Sequence, residues 1–268
     1  GSLDRAVARR PPNRKRSRSC RMPPQAALKV ECVCFHPVML PPMSTNAHSP
    51  IGVFDSGIGG LTVVRALMER LPYENIVYFG DTARVPYGVK SVETIAHFTT
   101  QIAQFLLEKD VKLLVIACNT MAAVAAQVVK DLSPVPVLDV IDAGAVSARG
   151  GRKIGVIGTP TTINSNAYAR AIHDYAPDSR IHSQACALFV PLVEEGWLDH
   201  EVTRLAAQDY LKPLLAEHID TLVLGCTHYP LLKPLLRQVV GDEVALVDSA
   251  EAMAEQVAAV LAEKHLAN

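Results

Sequence analysis

Aromatic side chains are scarce in this chain. They form 5% of its 268 residues, with a single tryptophan, while apolar residues as a whole reach 49%. A core must therefore be built from Val, Leu, Ile and Ala, the composition of buried parallel strands covered by Ala-rich helices. No apolar run approaches the roughly 18–20 residues of a membrane span, which argues against a membrane protein. Cysteine is sparse and scattered: Cys20, Cys32, Cys34, Cys118, Cys186 and Cys226. That spread excludes a small disulfide scaffold and points to reduced thiols in the cytoplasm. Cys32 and Cys34 form C-x-C without the second ligand pair of a zinc site.

Charge of one sign is also missing, because the net value is −1. The balance is uneven. Residues 1–21 carry eight basic residues against Asp4, about +7, so the remainder carries about −8. An acidic body does not offer a nucleic-acid surface.

Residues 1–49 read as a leader outside the working part of the chain. Gly1-Ser2 resembles a cloning remnant, and the Pro/Arg-rich stretch after it has neither helical nor strand periodicity. Its apolar part is broken by Lys29, Glu31, His36 and Pro37, so it makes a poor secretory signal. The expectation is a disordered or non-native basic segment, with Met43 as the native start.

From Ile51 onward short apolar runs alternate with helical patterns. IGVFDSGIGG is a strand and a Gly-rich turn, LTVVRALMERL a helix, NIVYFGDT a strand. Ser91 and Thr94 mark a helix start, KLLVIACNT is a strand ending near Cys118, MAAVAAQVVKDL a helix and VPVLDVI a further strand. The pattern then restarts. KIGVIGTPTTINS echoes PIGVFDSGIGG, HSQACALF (182–189) is another strand candidate, a helical region follows, and TLVLGCTHYP, VALVDSAEA and a C-terminal helix close the chain. In each half a strand opens with Ile-Gly-Val: 67 positions separate Ile51 from Cys118, and 72 separate Ile154 from Cys226. The reading is two similar parallel-sheet α/β domains that face each other with the active site in the cleft. The first spans 50–141 plus 249–268 and the second 142–248.

Parallel sheets bind ligands beyond the carboxyl ends of their strands. IACNT and LGCTH hold equivalent places there, so both thiols can line one cleft. Two acid–base groups on opposite faces of one carbon can remove a proton from one side and return it on the other, which inverts the centre. Asp55 and His228 stand where each could tune a thiol. Ser56, Asn119, Thr120 and Thr227 supply short donors for a carboxylate. The Gly57–Gly60 turn offers backbone N–H groups to an anion. Tyr87 and Gly88, in GDTARVPYG, could grip a second anionic end. A lone cysteine after a strand is more often a small core residue, and Cys186 keeps that reading. His173 and His218 read as surface histidines, and Trp197 as a packing residue near a helix start. Two other readings stay open on these residues: a one-thiol amidase forming an acyl-enzyme, with His228 and Asn119 as partners, and a non-catalytic anion-binding module built on SGIGG.

GVFDSGIGG, YFGDTARVPYG, ACNT, FVPLVEEG and GCTHYP, in this order, resemble the glutamate racemases of bacterial cell-wall synthesis. The resemblance covers about residues 50–268. It implies cofactor-independent interconversion of L- and D-glutamate, with no cofactor and no metal, supplying D-glutamate for peptidoglycan. Carried over by motif, Cys118 is the base acting on D-glutamate and Cys226 the base acting on L-glutamate, assisted by Asp55 and His228. Ser56, Asn119, Thr120 and Thr227 would contact the amino and α-carboxylate groups, Tyr87 and Gly88 the side-chain carboxylate, and Asp55 and His228 would count among the substrate-binding residues as well. Glu194 matches an acidic position near the substrate. A homodimer and a cell-wall nucleotide precursor as activator belong to the same implication; a membrane or nucleic-acid partner does not. Ala187 stands where many members have proline, and the leader is longer than is usual. Aspartate racemase, hydantoin racemase and arylmalonate decarboxylase-like enzymes are sister readings on the same fold.

Overall fold

Parallel strands need crossover connections, and the chain supplies a helix for each. The structure, a computed structural model, describes residues 46–268. The readings made for residues 1–45, including Met43 and the Cys32–Cys34 pair, lie outside the described residues. The first sheet is built from β1 (Ile51–Asp55), β2 (Ile76–Gly80), β3 (Leu113–Ile116) and β4 (Val137–Asp139), connected by α1 (Leu61–Arg70), α2 (Val92–Leu107) and α3 (Asn119–Leu132). Its strands are all parallel, in the order β2-β1-β3-β4. Helix α4 (Val140–Ala148) leads to the second sheet.

That sheet holds β5 (Lys153–Gly158), β6 (Arg180–Ala185), β7 (Thr221–Gly225) and β8 (Ala245–Asp248), again parallel, in the order β6-β5-β7-β8. The connections are α5 (Pro160–Asn164) and α6 (Ala167–Tyr175), then α7 (Phe189–Glu194) and α8 (Glu201–Ala216), then a 3₁₀ turn (Tyr229–Leu232) and α9 (Lys233–Val240). The two strand orders match, so the weak sequence duplication is a duplication of topology. Helix α10 (Ser249–Glu263) ends the chain and packs along α1 and α4. It buries Met253, Ala254, Val257 and Leu261 in the same cluster as Val63 and Leu67.

Strand ends obey local chemistry that periodicity misses. The stretches read as strands at VPVLDVI and VALVDSAEA stop at Asp139 and Asp248. Each carboxylate caps the next helix: Asp139 accepts from the N–H groups of Ile141 and Asp142, Asp248 from that of Ala250. Lys130 and Lys233 pair with the two caps at 2.8 and 3.1 Å. The strand expected over 182–189 is also shorter. It ends at Ala185, where pairing with β5 runs out, and Phe189 already opens α7. Trp197 lies beside the start of α8, as read. It is 42% exposed, and its ring stacks on His200, the residue that caps α8. His173 and His218 are exposed, and Cys186 is fully buried in the second core cluster, as expected.

A buried cation braces the two ends of the described chain. The Lys112 ammonium, fully buried, meets the Glu74 carboxylate and the carbonyls of Ala47 and Leu266. Ion pairing with added hydrogen bonds is what makes such burial tolerable.

The repeated Ile-Gly-Val has a packing cause. A Cβ on Gly52 would lie 2.9 Å from Leu114 Cδ2 and 3.0 Å from Val111 Cγ1, and one on Gly155 would lie 2.8 Å from Ile219 Cδ1. In both sheets the segment entering the third strand crosses close over this position. Gly155→Ala should therefore lower unfolding free energy by about 1–3 kcal/mol, the usual cost of overpacking. Urea unfolding checks this; an unchanged midpoint would show that the crossover has slack.

Candidate active site

The site forms where the carboxyl ends of the two sheets meet. Asp55 ends β1 and is fully buried, with the N–H of Gly57 donating to its Oδ2 at 2.9 Å. Burial raises its pKa, while the N–H groups of Gly57 and Gly60, the His228 ring and the Thr227 hydroxyl act in the opposite direction. The glycine turn must come close to the other half. A Cβ on Gly59 would lie 2.5 Å from the His228 ring and from Thr227 Oγ1. Hydrogen bonds cross at the same place: Thr227 Oγ1 donates to Asp55 Oδ1 at 3.4 Å and Thr62 Oγ1 to the Thr227 carbonyl at 3.0 Å.

Cys118 follows β3 and takes the cap position of α3. Its side chain is buried, and its Sγ lies 3.4 Å from Ser56 Oγ. Desolvation pushes the thiol up to about 11, helped by the Asp55 charge. The Ser56 hydroxyl and the N–H groups of Met121 and Ser56 pull the other way, as a helix N-terminus does for a thiolate.

Cys226 follows β7, and a 3₁₀ turn stands where the first half has a long helix. Desolvation pushes this thiol higher, with one backbone N–H, that of His228, opposing it, and the charges of Cys118 and Asp55 adding to the rise. Its Sγ lies 3.9 Å from His228 Nδ1, while His228 Nε2 lies 3.1 Å from Glu194 Oε1. A neutral ring that donates from Nε2 to Glu194 presents Nδ1 as an acceptor toward the thiol. Sulfur, imidazole and carboxylate thus form a relay able to take a proton from Cys226.

Asn119 and Thr120 are buried at the start of α3. Thr120 Oγ1 lies 3.0 Å from Thr159 Oγ1, which caps α5 just after β5, and 3.4 Å from Thr162 Oγ1 within α5. Asn119 Oδ1 accepts from the Tyr168 hydroxyl of α6 at 2.7 Å. The PYG loop is placed less simply. The Tyr87 hydroxyl donates to the buried Asp81 carboxylate, which Arg84 also pairs at 2.8 Å. That hydroxyl is already committed. The Gly88 carbonyl accepts from Thr161 Oγ1 at 2.7 Å.

The structure thus gathers Asp55, Ser56, Cys118, Asn119, Thr120, Cys226, Thr227, His228 and Glu194, with Tyr87 and Gly88 on the loop beside Thr161. Sequence reasoning missed Thr159, Thr161, Thr162 and Tyr168. The first three had a signal: TPTTINS echoes SGIGG, so hydroxyls there mirror the first Gly-rich turn. Tyr168, inside a helix, had none. Among the described residues no group of three or more His, Cys, Asp or Glu side chains is arranged to hold a metal, and no helix is long and apolar enough to cross a membrane.

Comparison with known proteins bears on this geometry. The Asp/Glu/Hydantoin racemase family matches residues 52–257. A glutamate racemase of Syntrophus aciditrophicus is 74% identical over 222 residues, 82% of either chain. Among solved structures, glutamate racemase from Francisella tularensis, in complex with D-glutamate, superposes with a TM-score of 0.79 at 45% identity, covering 83% of this chain and 84% of that one. The Escherichia coli glutamate racemase, in complex with L-glutamate and the activator UDP-MurNAc-Ala, gives 0.68 at 32% identity, covering 80% and 83%. With its two four-stranded parallel sheets and a motif order that runs through both of them, the chain belongs to the glutamate racemases of the Asp/Glu/Hydantoin racemase family.

Proposed function

We propose that this racemase inverts glutamate with two thiols and no cofactor. The observation that carries the reading is the equivalent placement of Cys118 and Cys226 at the ends of β3 and β7, each with its own polar partner. One cysteine, as thiolate, takes the α-proton and becomes a thiol. The other, as thiol, delivers a proton to the opposite face and becomes the thiolate. Cys118 acts on D-glutamate, with Asp55 assisting; Cys226 acts on L-glutamate, with His228 assisting and Glu194 holding the ring. Ser56, Asn119, Thr120 and Thr227 bind the amino and α-carboxylate ends. Since the Tyr87 hydroxyl is held by Asp81, the side-chain carboxylate is left to the backbone of Tyr87 and Gly88.

We further infer a first domain of 50–141 plus 249–268 and a second of 142–248, on the packing of α10 along α1. The same reading makes the enzyme a cytoplasmic homodimer that supplies D-glutamate for peptidoglycan. The E. coli relative supports a cell-wall nucleotide precursor as activator. The Cys226–His228–Glu194 relay would also suit a one-thiol amidase, which has no use for Cys118.

Incubation of the pure protein with L-glutamate in D₂O decides between these. Loss of optical rotation with deuterium at the α-carbon is expected, L-aspartate being left unchanged. Cys118→Ala and Cys226→Ala should each lower the racemisation rate by about 10²–10⁴, the range for losing a positioned acid or base. Activity that survives either substitution would sink the two-thiol reading.

The raised thiols predict a second result. Below about pH 11 the resting Cys118 is protonated, because its pKa lies above the working range. Inactivation of the free enzyme by iodoacetamide should therefore climb about tenfold per pH unit from pH 7 to 10, following the thiolate fraction. A plateau reached by pH 8 would instead reveal a resting thiolate.

A further inference from the structure

Asn119 is 2% exposed, and the two ends of its amide have different surroundings. Oδ1 accepts the Tyr168 hydroxyl at 2.7 Å, whereas Nδ2 is buried without a hydrogen-bond partner. A buried N–H group left unpaired is costly, and native proteins keep such groups for a purpose. Tyr168 comes from the other half of the molecule and is itself buried. Its ring occupies a slot that two glycines leave open: a Cβ on Gly225 would lie 2.8 Å from Tyr168 Cε2, and one on Gly144 would lie 3.1 Å from Cε1. The hydroxyl also lies 3.4 Å from the Val140 carbonyl and meets the Ser249 side chain. Burial, with the Asp139 charge, raises the phenol far above its ordinary range, so it remains an O–H donor.

We propose that Tyr168 is a positioning residue for substrate binding: by donating to Asn119 Oδ1 it turns the amide so that Nδ2, beside Cys118, donates to a carboxylate oxygen of the substrate. The opposite amide orientation would present an oxygen, which repels a carboxylate and suits an ammonium. The Tyr168 hydroxyl therefore decides which group of an amino acid Asn119 receives. It also accounts for Gly225, directly before Cys226, as the residue that makes room for the ring. The inference rests on the glutamate racemase reading above.

The test compares Tyr168→Phe, Asn119→Ala and the double variant in steady-state racemisation of glutamate, with inhibition by glutarate, a dicarboxylate lacking the amino group. Loss of an interaction made equally in ground and transition states raises KM alone, so Tyr168→Phe should raise KM about tenfold and leave kcat within about threefold. Its glutarate inhibition should weaken in parallel, and the double variant should be no worse than Asn119→Ala. An unchanged KM in Tyr168→Phe, multiplicative effects in the double variant, or glutarate inhibition untouched while KM rises would each overturn the proposal. If Tyr168→Phe does not fold, Asn119→Asp makes the same point. Its second oxygen should raise KM above that of Asn119→Ala, and an equal or lower KM would count against the proposal. Absence of racemisation in the unaltered protein would overturn the functional reading instead.

Discussion

Taking two thiols out of water is the constraint around which the site is organised. Desolvation is the largest influence on both Cys118 and Cys226, and it favours the neutral thiol in each. In the two-thiol mechanism proposed above, a group that alternates between thiol and thiolate would depend on nearby donors and acceptors to bring the two forms within reach. Cys118 has the opening N–H groups of a 14-residue helix and the Ser56 hydroxyl. Cys226 has only a short 3₁₀ turn behind it, and the His228–Glu194 relay stands at its side. The two halves share a topology, yet they solve the same electrostatic problem with different parts.

Burial of this kind requires the halves to meet closely, and they do so through small polar groups. Thr62 and Thr227, Thr227 and Asp55, Thr120 and Thr159, Thr161 and Gly88, and Tyr168 and Asn119 all bridge the two. Each such bond contributes about 0.5–1.5 kcal/mol net, because water can replace it. A junction of many modest hydrogen bonds excludes solvent while it is closed and exchanges readily with solvent when it parts. That suits a buried site that takes in and releases a small dicarboxylate amino acid.

The loops at the strand ends take their shape from the same crowding. Gly59 lies under the His228 ring, and the glycines of Ile-Gly-Val lie under the crossing segments. Small residues at these points let side chains of the neighbouring segments lie directly on the backbone. Asp81 shows the opposite case. It is a buried carboxylate committed to Tyr87 and Arg84, so it shapes the PYG loop rather than offering a charge to the cleft.

Much of this was legible in one dimension. Alternating apolar runs and helical stripes determine a parallel α/β chain, and two Ile-Gly-Val…Cys frames determine a duplicated one, because strand and helix periods are local properties. Motif order likewise named the candidate residues from Asp55 to His228. Strand limits at Asp139, Asp248 and Ala185 were harder to read, since a helix cap and the end of a pairing register leave no mark in hydropathy. Only the tertiary structure decided that the Tyr87 hydroxyl belongs to Asp81, that Glu194 reaches His228 across 34 residues, and that Tyr168 holds Asn119 across 49. The first two depend on how loops fold back within one half, and the Tyr168–Asn119 bond depends on where two separately wound sheets come to rest against each other, packing outcomes that hydropathy and periodicity do not encode.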